Sequence, residues 1–322
     1  IDNIDEEVGL IEVHLYRPFS TKYLLNVLPD TVRKIAVLDR TKEFGSTGEP
    51  LYLDVVAALK ERTIEIVGGR YGLSSKNTTP AMIKGVFDFL DSRDAHNNFT
   101  VGINDDITNL SVPYDKTFII PNKNIEFLIY GFGSDGMVSA AKDLMKVTGT
   151  YTNAYVQGYF QYDSKKSGGV TISHLRFAKK PVKSTYYVEK ASLIVCTKES
   201  YLKKLKMLDK IKDNGIFIVN SNKKPDDLLL SMTIHDKKII QSRNIKMYVV
   251  DADKIAKEAG IPGKISAIME TLIFKLGKII DLDFAVGKIK ENLAVKFANK
   301  SGDLVSKNVK AIEACLDALV PV

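Results

Sequence analysis

The stretch IEFLIYGFGSDGMVSAAKDLMKVTG, residues 125–149, carries the clearest fold signal in the sequence. Residues 125–131 are mostly apolar, which is typical of a strand buried inside a sheet. The glycine-rich residues 132–136 predict a tight loop, and residues 137–149 predict a helix that ends at Gly149. A buried strand, a glycine loop and a helix in this order indicate an α/β fold.

The same alternation continues toward the C-terminus. Further strands are predicted at residues 152–160, 169–177, 191–196, 215–220 and 245–251. Helices are predicted at residues 199–211, 252–260, 264–280, 281–297 and 302–320. We therefore expect residues 122–322 to form one open-sheet α/β domain with a helical C-terminal end.

Residues 1–121 predict a smaller α/β domain with a parallel sheet. Strands are expected at residues 9–16, 34–39 and 63–69, and helices at residues 20–28, 50–62 and 78–90. Ser20 and Thr79 are predicted N-caps, with Pro50 and Pro80 in first helical turns. Residues 97–113 suggest a β-hairpin with its turn at residues 104–106.

Composition limits the class of protein. The chain has 322 residues and 45% hydrophobic residues, which suits about two soluble domains. It lacks a run of about 20 apolar residues and begins without a signal-peptide pattern, so we expect neither a membrane partner nor secretion. The two cysteines, Cys196 and Cys315, have no metal-binding spacing, and we expect buried free thiols and no metal site.

Charge is distributed unevenly. Residues 1–121 contain 13 Lys and Arg against 18 Asp and Glu, whereas residues 122–322 contain 33 against 21. The second half should therefore attract anions, although many lysines would also suit a solvated helix face. Aromatic and basic residues do not interleave in a recognisable pattern, so no nucleic-acid partner is expected.

The glycine loop is a candidate phosphate site. Gly131, Gly133 and Gly136 have the spacing GxGxxG, and the loop also contains Ser134 and Asp135. Such a loop lets backbone N–H groups and a helix N-terminus face an anion, but a purely structural turn has the same pattern. The acidic residue that would hold a nicotinamide ribose is missing about 20 residues further on, and Asp135 suits a phosphate site only as a helix cap.

A second candidate is YDSKKSGG, residues 162–169, between two predicted strands. It combines charged, hydroxyl and bare backbone groups, supplied by Ser164, Lys165, Lys166, Ser167, Gly168 and Gly169. These groups suit a phosphate-bearing ligand. A lysine-rich surface loop would have the same composition.

No motif for a catalytic residue was found: a nucleophile elbow, zinc-protease helix, Walker loop and kinase set are all missing. His14 and His174 lie in predicted strands, and we interpret both as structural. The charged loops 39–50 and 69–80 follow strands of the first domain and favour a contact surface over a catalytic site.

Several stretches resemble consecutive motifs of the pyruvate:ferredoxin oxidoreductase family, which includes flavodoxin- and NADP-linked enzymes. They are VGLIEVHLYRPFS (8–20), KIAVLDRTKEFGSTGEPLYLDV (34–55), GGRYGLSSKNTTPAMIKGVFDFL (68–90), FGSDGMVSAAKDL (132–144) and QGYFQYDSKKSGGVTISHLRF (157–177). The resemblance implies an internal fragment of a larger enzyme that converts pyruvate to acetyl-CoA and CO2. Residues 1–121 would be its transketolase C-terminal-like domain, and residues 122–322 its gamma-subunit-like, Rossmann-like domain.

The resemblance also implies cofactors and partners. The gamma-like domain would bind coenzyme A through both glycine-containing loops, while thiamine pyrophosphate, Mg and 4Fe-4S clusters would belong to the full enzyme only. Partners would be the remaining domains of the same polypeptide and a second copy in a homodimer, in the cytoplasm or a mitochondrion-related organelle. The fragment would be inactive alone.

The sequence departs from the family pattern at five positions. Met137 stands where Thr is usual, Ser139 and Ala141 where Gly and Asn are common, and Lys264 and Ser266 where the segment GGRxN has Arg and Asn. The changes include a lost hydroxyl, a lost amide and Lys in place of a forked guanidinium, all groups that could hold a ligand. A non-catalytic structural or docking module, fused to another redox protein, is therefore the alternative.

Overall fold

The computed structural model describes residues 1–105, 107–162, 169–298 and 303–322. The described residues divide into two compact units, Ile1–Asn122 and Lys123–Val322. Each unit contains a sheet with helices packed on it, which confirms the predicted α/β class. Among the described helices, none has the length and apolar composition of a membrane span.

The first unit is built on a parallel sheet. Within its described residues the strand order is β1-β2-β3, with both neighbouring pairs parallel. The strands are β1 (Lys34–Asp39), β2 (Glu65–Tyr71) and β3 (Phe99–Val101), and the helices are α1 (Thr21–Val27), α2 (Pro50–Ala58) and α3 (Pro80–Asp91). The predicted caps are confirmed, because Ser20 and Thr79 accept hydrogen bonds from the N–H groups of Tyr23 and Met82.

Two predictions for the first unit are wrong. Residues 9–16 do not form a strand, and Leu10 and Leu15 are 61% and 71% exposed. Alternating apolar residues define two faces, but a strand also needs a hydrogen-bonded neighbour, and no described strand pairs with this segment.

The second incorrect prediction is the hairpin at residues 97–113. β3 pairs with β2, and Thr100 bridges Ser111 in parallel rather than antiparallel orientation. The Asp105 carboxylate accepts the N–H groups of Ile107 and Thr108 and turns the chain into a wider loop. Asp106, in the predicted turn, lies outside the described residues.

The second unit is built on a mixed sheet. The described strands have the order β10-β9-β8-β7-β4-β6-β5, in which β4, β7, β8 and β9 are parallel and β5, β6 and β10 pair antiparallel. The strands are β4 (Ile125–Phe132), β5 (Tyr155–Tyr162), β6 (Val170–Ala178), β7 (Ala191–Cys196), β8 (Ile211–Asn220), β9 (Lys246–Val250) and β10 (Val320–Pro321). The helices are α4 (Met137–Tyr151), α5 (Pro225–Ser231), α6 (Ile234–Ser242), α7 (Ala252–Glu258), α8 (Ser266–Gly277), α9 (Leu282–Lys296) and α10 (Asp303–Cys315).

A separate apolar core covers each face of this sheet. Helices α4, α7, α8, α9 and α10 pack on one face, where the fully buried Phe127 and Leu175 lie. The other face packs against the segment after β7 and against α5 and α6, around Phe217 and Leu228. Because the central strands are covered on both sides, their sequences read as continuous apolar runs.

The predicted helix at residues 199–211 is wrong. The chain instead forms the short 3-10 helices Glu199–Lys203 and Met207–Lys210. The buried residues of these two turns are the adjacent pairs 201–202 and 207–208, and this spacing suits two single turns rather than a continuous helical face. Sequence analysis also missed α5 and α6, which begin at Pro225 and behind the Thr233 cap.

Candidate functional site

The glycine loop lies at the carboxyl-terminal edge of the parallel strands. It leaves β4 after Phe132 and enters α4 at Met137. The neighbouring parallel strand β7 ends beside it, and the Thr197 N–H donates to the carbonyl of Tyr130 at 3.0 Å. In open α/β sheets this edge is where ligands bind.

Asp135 fixes the shape of the loop. One carboxylate oxygen accepts the Phe132 N–H at 2.6 Å, and the other accepts the Met137 N–H at 2.9 Å. The Thr197 hydroxyl donates to the same carboxylate at 3.0 Å. The Asp135 carboxylate thus accepts hydrogen bonds from the protein itself at the start of α4. Its predicted contact with a ligand stays a prediction.

The outer two glycines are required for different reasons. Gly131 has no room for a side chain, because a Cβ there would lie 2.9 Å from the Thr171 hydroxyl and 3.0 Å from Met137 Cβ. Gly136 has φ +83°, and its Cβ would lie 3.1 Å from the side chain of Ser266. Close packing requires a glycine at position 131. At position 136 the positive φ favours glycine, and the missing side chain lets the starts of α4 and α8 approach each other.

The second candidate motif meets the first. β5 and β6 form an antiparallel pair in which Tyr162 lies opposite Thr171. The Gly133 N–H donates to the Gly169 carbonyl at 2.9 Å, so Gly169 borders the glycine loop. The candidate residues Ser164, Lys165, Lys166, Ser167 and Gly168 lie outside the described residues.

Helices α4 and α8 start side by side and run in the same direction. Gly136 and Ser266 meet at their N-terminal ends, and Asp143 and Glu270 line one cavity further along. The N–H groups in the first turn of a helix have no partner within that helix, and each N-terminus carries about +0.5 elementary charge. The N-caps Gly136 and Ile265 supply no side-chain hydrogen bond. At α4 the Asp135 carboxylate accepts the Met137 N–H, so further acceptors can reach only the following N–H groups of that helix end.

Lysines add positive charge near this edge. Lys198, which follows β7, is exposed, and its Nζ lies 5.3 Å from the centre of the Phe132 ring. Lys264, two residues before α8, is also exposed. By contrast, Lys223 pairs with Glu199 at 2.6 Å. Lys198 was not identified from the sequence, because its place beside the loop depends on β4 and β7 being neighbours.

His174 has a structural environment. It is 2% exposed, and its Nδ1 accepts the Val188 N–H at 3.1 Å. The Tyr187 ring stacks on it at 4.8 Å. Burial, helped by the charges of Lys210 and Arg176, lowers the pKa of His174 to about 3, so the imidazole is neutral at physiological pH. His14, by contrast, lies on the surface 3.3 Å from Glu12.

A buried ion pair stands at the opposite edge of the sheet. Arg176 Nε donates to Glu126 at 2.9 Å, and each side chain is 3% exposed. The Gln157 amide oxygen accepts from Arg176, and Lys212 reaches the second Glu126 oxygen at 3.2 Å. Pairing across 50 residues leaves no local sequence signal, and this network was not predicted.

The charged loop of the first unit serves that unit's own folding. Glu49 pairs with buried Arg70 at 2.9 Å and also accepts the Glu43 N–H at 2.7 Å. Asp39 accepts the N–H groups of Leu51 and Tyr52 at the start of α2. The proposed role of this loop as a contact surface stays a prediction.

Both cysteines are buried in different cores. Cys196 lies in the core around Phe217, and Cys315 lies in the core around Phe127, on the other face of the sheet. Burial raises the pKa of each thiol to about 12. Among the described residues, no group of three or more His, Cys, Asp or Glu is placed to hold a metal ion.

Comparisons with known proteins agree with this fold. The family described as pyruvate ferredoxin/flavodoxin oxidoreductase matches residues 126–318, and pyruvate:ferredoxin oxidoreductase core domain II matches residues 2–83. The chain is 43% identical to pyruvate-flavodoxin oxidoreductase of Trichormus variabilis and 45% identical to pyruvate:ferredoxin oxidoreductase of Moorella thermoacetica, over 99% and 98% of its own length. It spans 27% of each of these relatives.

A solved structure supports the fold. A pyruvate oxidoreductase subunit from Thermotoga maritima superimposes with a TM-score of 0.50 at 19% identity. The superposition covers 62% of this chain and 99% of that subunit. At this level of identity, the likeness concerns the chain path and not the chemistry of the site.

Proposed function

Since this chain belongs to the pyruvate ferredoxin/flavodoxin oxidoreductase family, we propose that it is part of a longer enzyme that oxidatively decarboxylates pyruvate to acetyl-CoA and CO2. The names of the relatives support this activity, and the chain spans 27% of their length. Residues 1–121 would be the transketolase C-terminal-like domain and residues 122–322 the gamma-subunit-like domain. Thiamine pyrophosphate, Mg and 4Fe-4S clusters would be held by the rest of the enzyme, a homodimer.

The role proposed for the second unit is to bind coenzyme A at the carboxyl-terminal edge of β4. The observation that carries this proposal is the 2.9 Å hydrogen bond from Gly133 N–H to the Gly169 carbonyl. It joins the two phosphate-type motifs, which lie 36 residues apart in sequence, beside the starts of α4 and α8. A phosphate at this edge would face helix N-termini and the exposed Lys198 and Lys264. Contact with Lys165 and Lys166, which lie outside the described residues, is part of the proposal.

The residues of this chain would bind and orient the ligand. Coenzyme A, when bound, supplies a thiol that can accept an acyl group. The N–H groups of Val138 and Ser139, which follow the Met137 N–H that Asp135 accepts, would bind phosphate oxygens, and the lysines would add charge without fixing one geometry. Asp135 would act indirectly, since its hydrogen bonds to Phe132 and Met137 shape the loop.

Isothermal calorimetry on the 322-residue chain tests this proposal. Wild type should release or absorb heat with coenzyme A, and the affinity should fall as salt rises. The double substitution K165A/K166A should weaken binding by roughly tenfold or more, because a charge-assisted hydrogen bond contributes about 1.5–3 kcal/mol.

The matched control is K179A/K180A. It removes the same charge from exposed lysines that follow the other end of β6, and should change the affinity by less than about twofold. Equal effects of the two double substitutions would contradict a local site. The absence of heat at millimolar coenzyme A would refute binding and favour a non-catalytic docking module.

A further inference from the structure

Glu270 is a buried acid in the middle of α8. Its exposure is 5%, and among the described residues its Oε1 has no hydrogen-bond partner. The surrounding residues Met269, Thr271 and Leu272 are buried as well. A carboxylate in such a place would lose its hydration without compensation, so the neutral acid is strongly favoured.

Glu270 faces a small cavity of about 30 Å³ between α4, α8 and α9. Ser139 and Ser266, at the N-terminal ends of α4 and α8, also line this cavity. Ser266 is the residue that meets Gly136 of the glycine loop. The cavity therefore lies directly behind the helix ends that form the candidate anion site.

Two charged groups near Glu270 act on its neutral state in opposite directions, and burial has the largest effect. Burial raises the pKa of Glu270 well above its usual value, the negative charge of Asp143 on α4 raises it further, and Lys296 on α9 lowers it. From α10, Cys315 donates toward the Ile268 carbonyl, and burial raises the pKa of this thiol to about 12, so it stays uncharged. From α7, the apolar Ile255 and Ala256 enter the same core.

We propose that Glu270 is a positioning residue of the anion site: it is neutral when the ligand is bound, and its ionisation weakens binding. This inference rests on the proposed binding of coenzyme A. A negative charge at Glu270 would repel a phosphate at the adjoining helix ends, and it would also disturb the packing of α4 against α8. Ligand binding and proton retention at Glu270 therefore favour each other.

The test is the dissociation constant of coenzyme A measured from pH 5 to pH 9 on the 322-residue chain. Glu270→Gln keeps the shape of the neutral acid and cannot ionise. Wild type should lose affinity relative to E270Q as the pH rises, by up to about tenfold per pH unit for one linked proton. The ratio of the two constants cancels the ionisation of the ligand itself.

Further variants separate titration from structure. Glu258→Gln removes an exposed acid of α7 and should follow the wild-type profile. Asp143→Asn removes a negative charge that adds to the effect of burial in raising the pKa of Glu270, so the loss of affinity should begin at lower pH. A purely structural role for Glu270 would not produce this shift.

The pH dependence of the free energy of unfolding reports the titration of Glu270 without any ligand. The pKa of Glu270 is higher in the folded than in the unfolded chain. The free energy of unfolding of wild type should therefore fall as the pH rises from the unfolded pKa of Glu270 to its folded pKa, and that of E270Q should not. Parallel binding profiles for wild type and E270Q would overturn this inference while leaving the proposed function intact. Absence of binding at every pH would overturn both.

Discussion

Gly136→Ala provides the sharpest test of the geometry at the start of α4 and α8. Gly136 has φ +83°, and Gly263 has φ +73°, so a side chain is disfavoured at both positions by about 1–2 kcal/mol. They differ in their surroundings. A Cβ at Gly136 lies 3.1 Å from Ser266, whereas one at Gly263 meets nothing within 4 Å.

The expected costs follow from this difference. Gly263→Ala should lower the free energy of unfolding by about 1–2 kcal/mol through backbone strain alone. Gly136→Ala should lower it by about 2–5 kcal/mol, because overpacking against Ser266 adds about 1–3 kcal/mol. In a Ser266→Gly background the overpacking contribution of Gly136→Ala should disappear, so that only the cost of backbone strain remains.

Hydrogen exchange of the β4 and β7 amides measures the free energy of unfolding of the second unit. The double-mutant cycle of Gly136→Ala with Ser266→Gly isolates the contact between the two residues. Equal losses for Gly136→Ala and Gly263→Ala, or a coupling energy of zero, would refute the close approach of α4 and α8.

Further predictions concern buried groups of the second unit. Arg176→Met leaves Glu126 buried without its 2.9 Å partner and should cost about 3–5 kcal/mol in urea unfolding, whereas a loss below about 1 kcal/mol would contradict the buried pair. Because the pKa of His174 is lowered to about 3, wild type should lose up to about 1.4 kcal/mol per pH unit relative to His174→Gln as the pH falls from about 6 to 3, and identical pH profiles would show that His174 titrates normally. Cys196 and Cys315 should resist thiol reagents at pH 8 until the chain unfolds, and rapid labelling of either in the native protein would contradict its burial.

Local signals in the sequence predicted much of the fold. The caps Ser20 and Thr79 and the apolar run of β4 are properties of a few adjacent residues, and each specified its element correctly. The GxGxxG spacing correctly placed a loop between β4 and α4. The reason for each glycine depended on Thr171 and Ser266, which are distant in sequence and could not be identified from the pattern.

Features that depend on pairing partners were missed or mistaken. The segment at residues 9–16 alternates as a strand does, but no described strand pairs with it. The pair of Glu126 with Arg176 joins β4 to β6, and neither residue stands out in its own segment. Glu270 was not identified from the sequence, because its burial depends on the packing of α8 against α4 and α9, whose residues line the same cavity.

The side-by-side start of α4 and α8 has an electrostatic consequence. Two like poles of about half a positive charge each are kept close by the missing side chain at Gly136. The Asp135 carboxylate, which accepts the Met137 N–H at the start of α4, already supplies a negative charge here and reduces the repulsion between the poles. An arriving anion therefore meets a partly neutralised edge, and its attraction depends on the exposed Lys198 and Lys264 as well as on the helix ends.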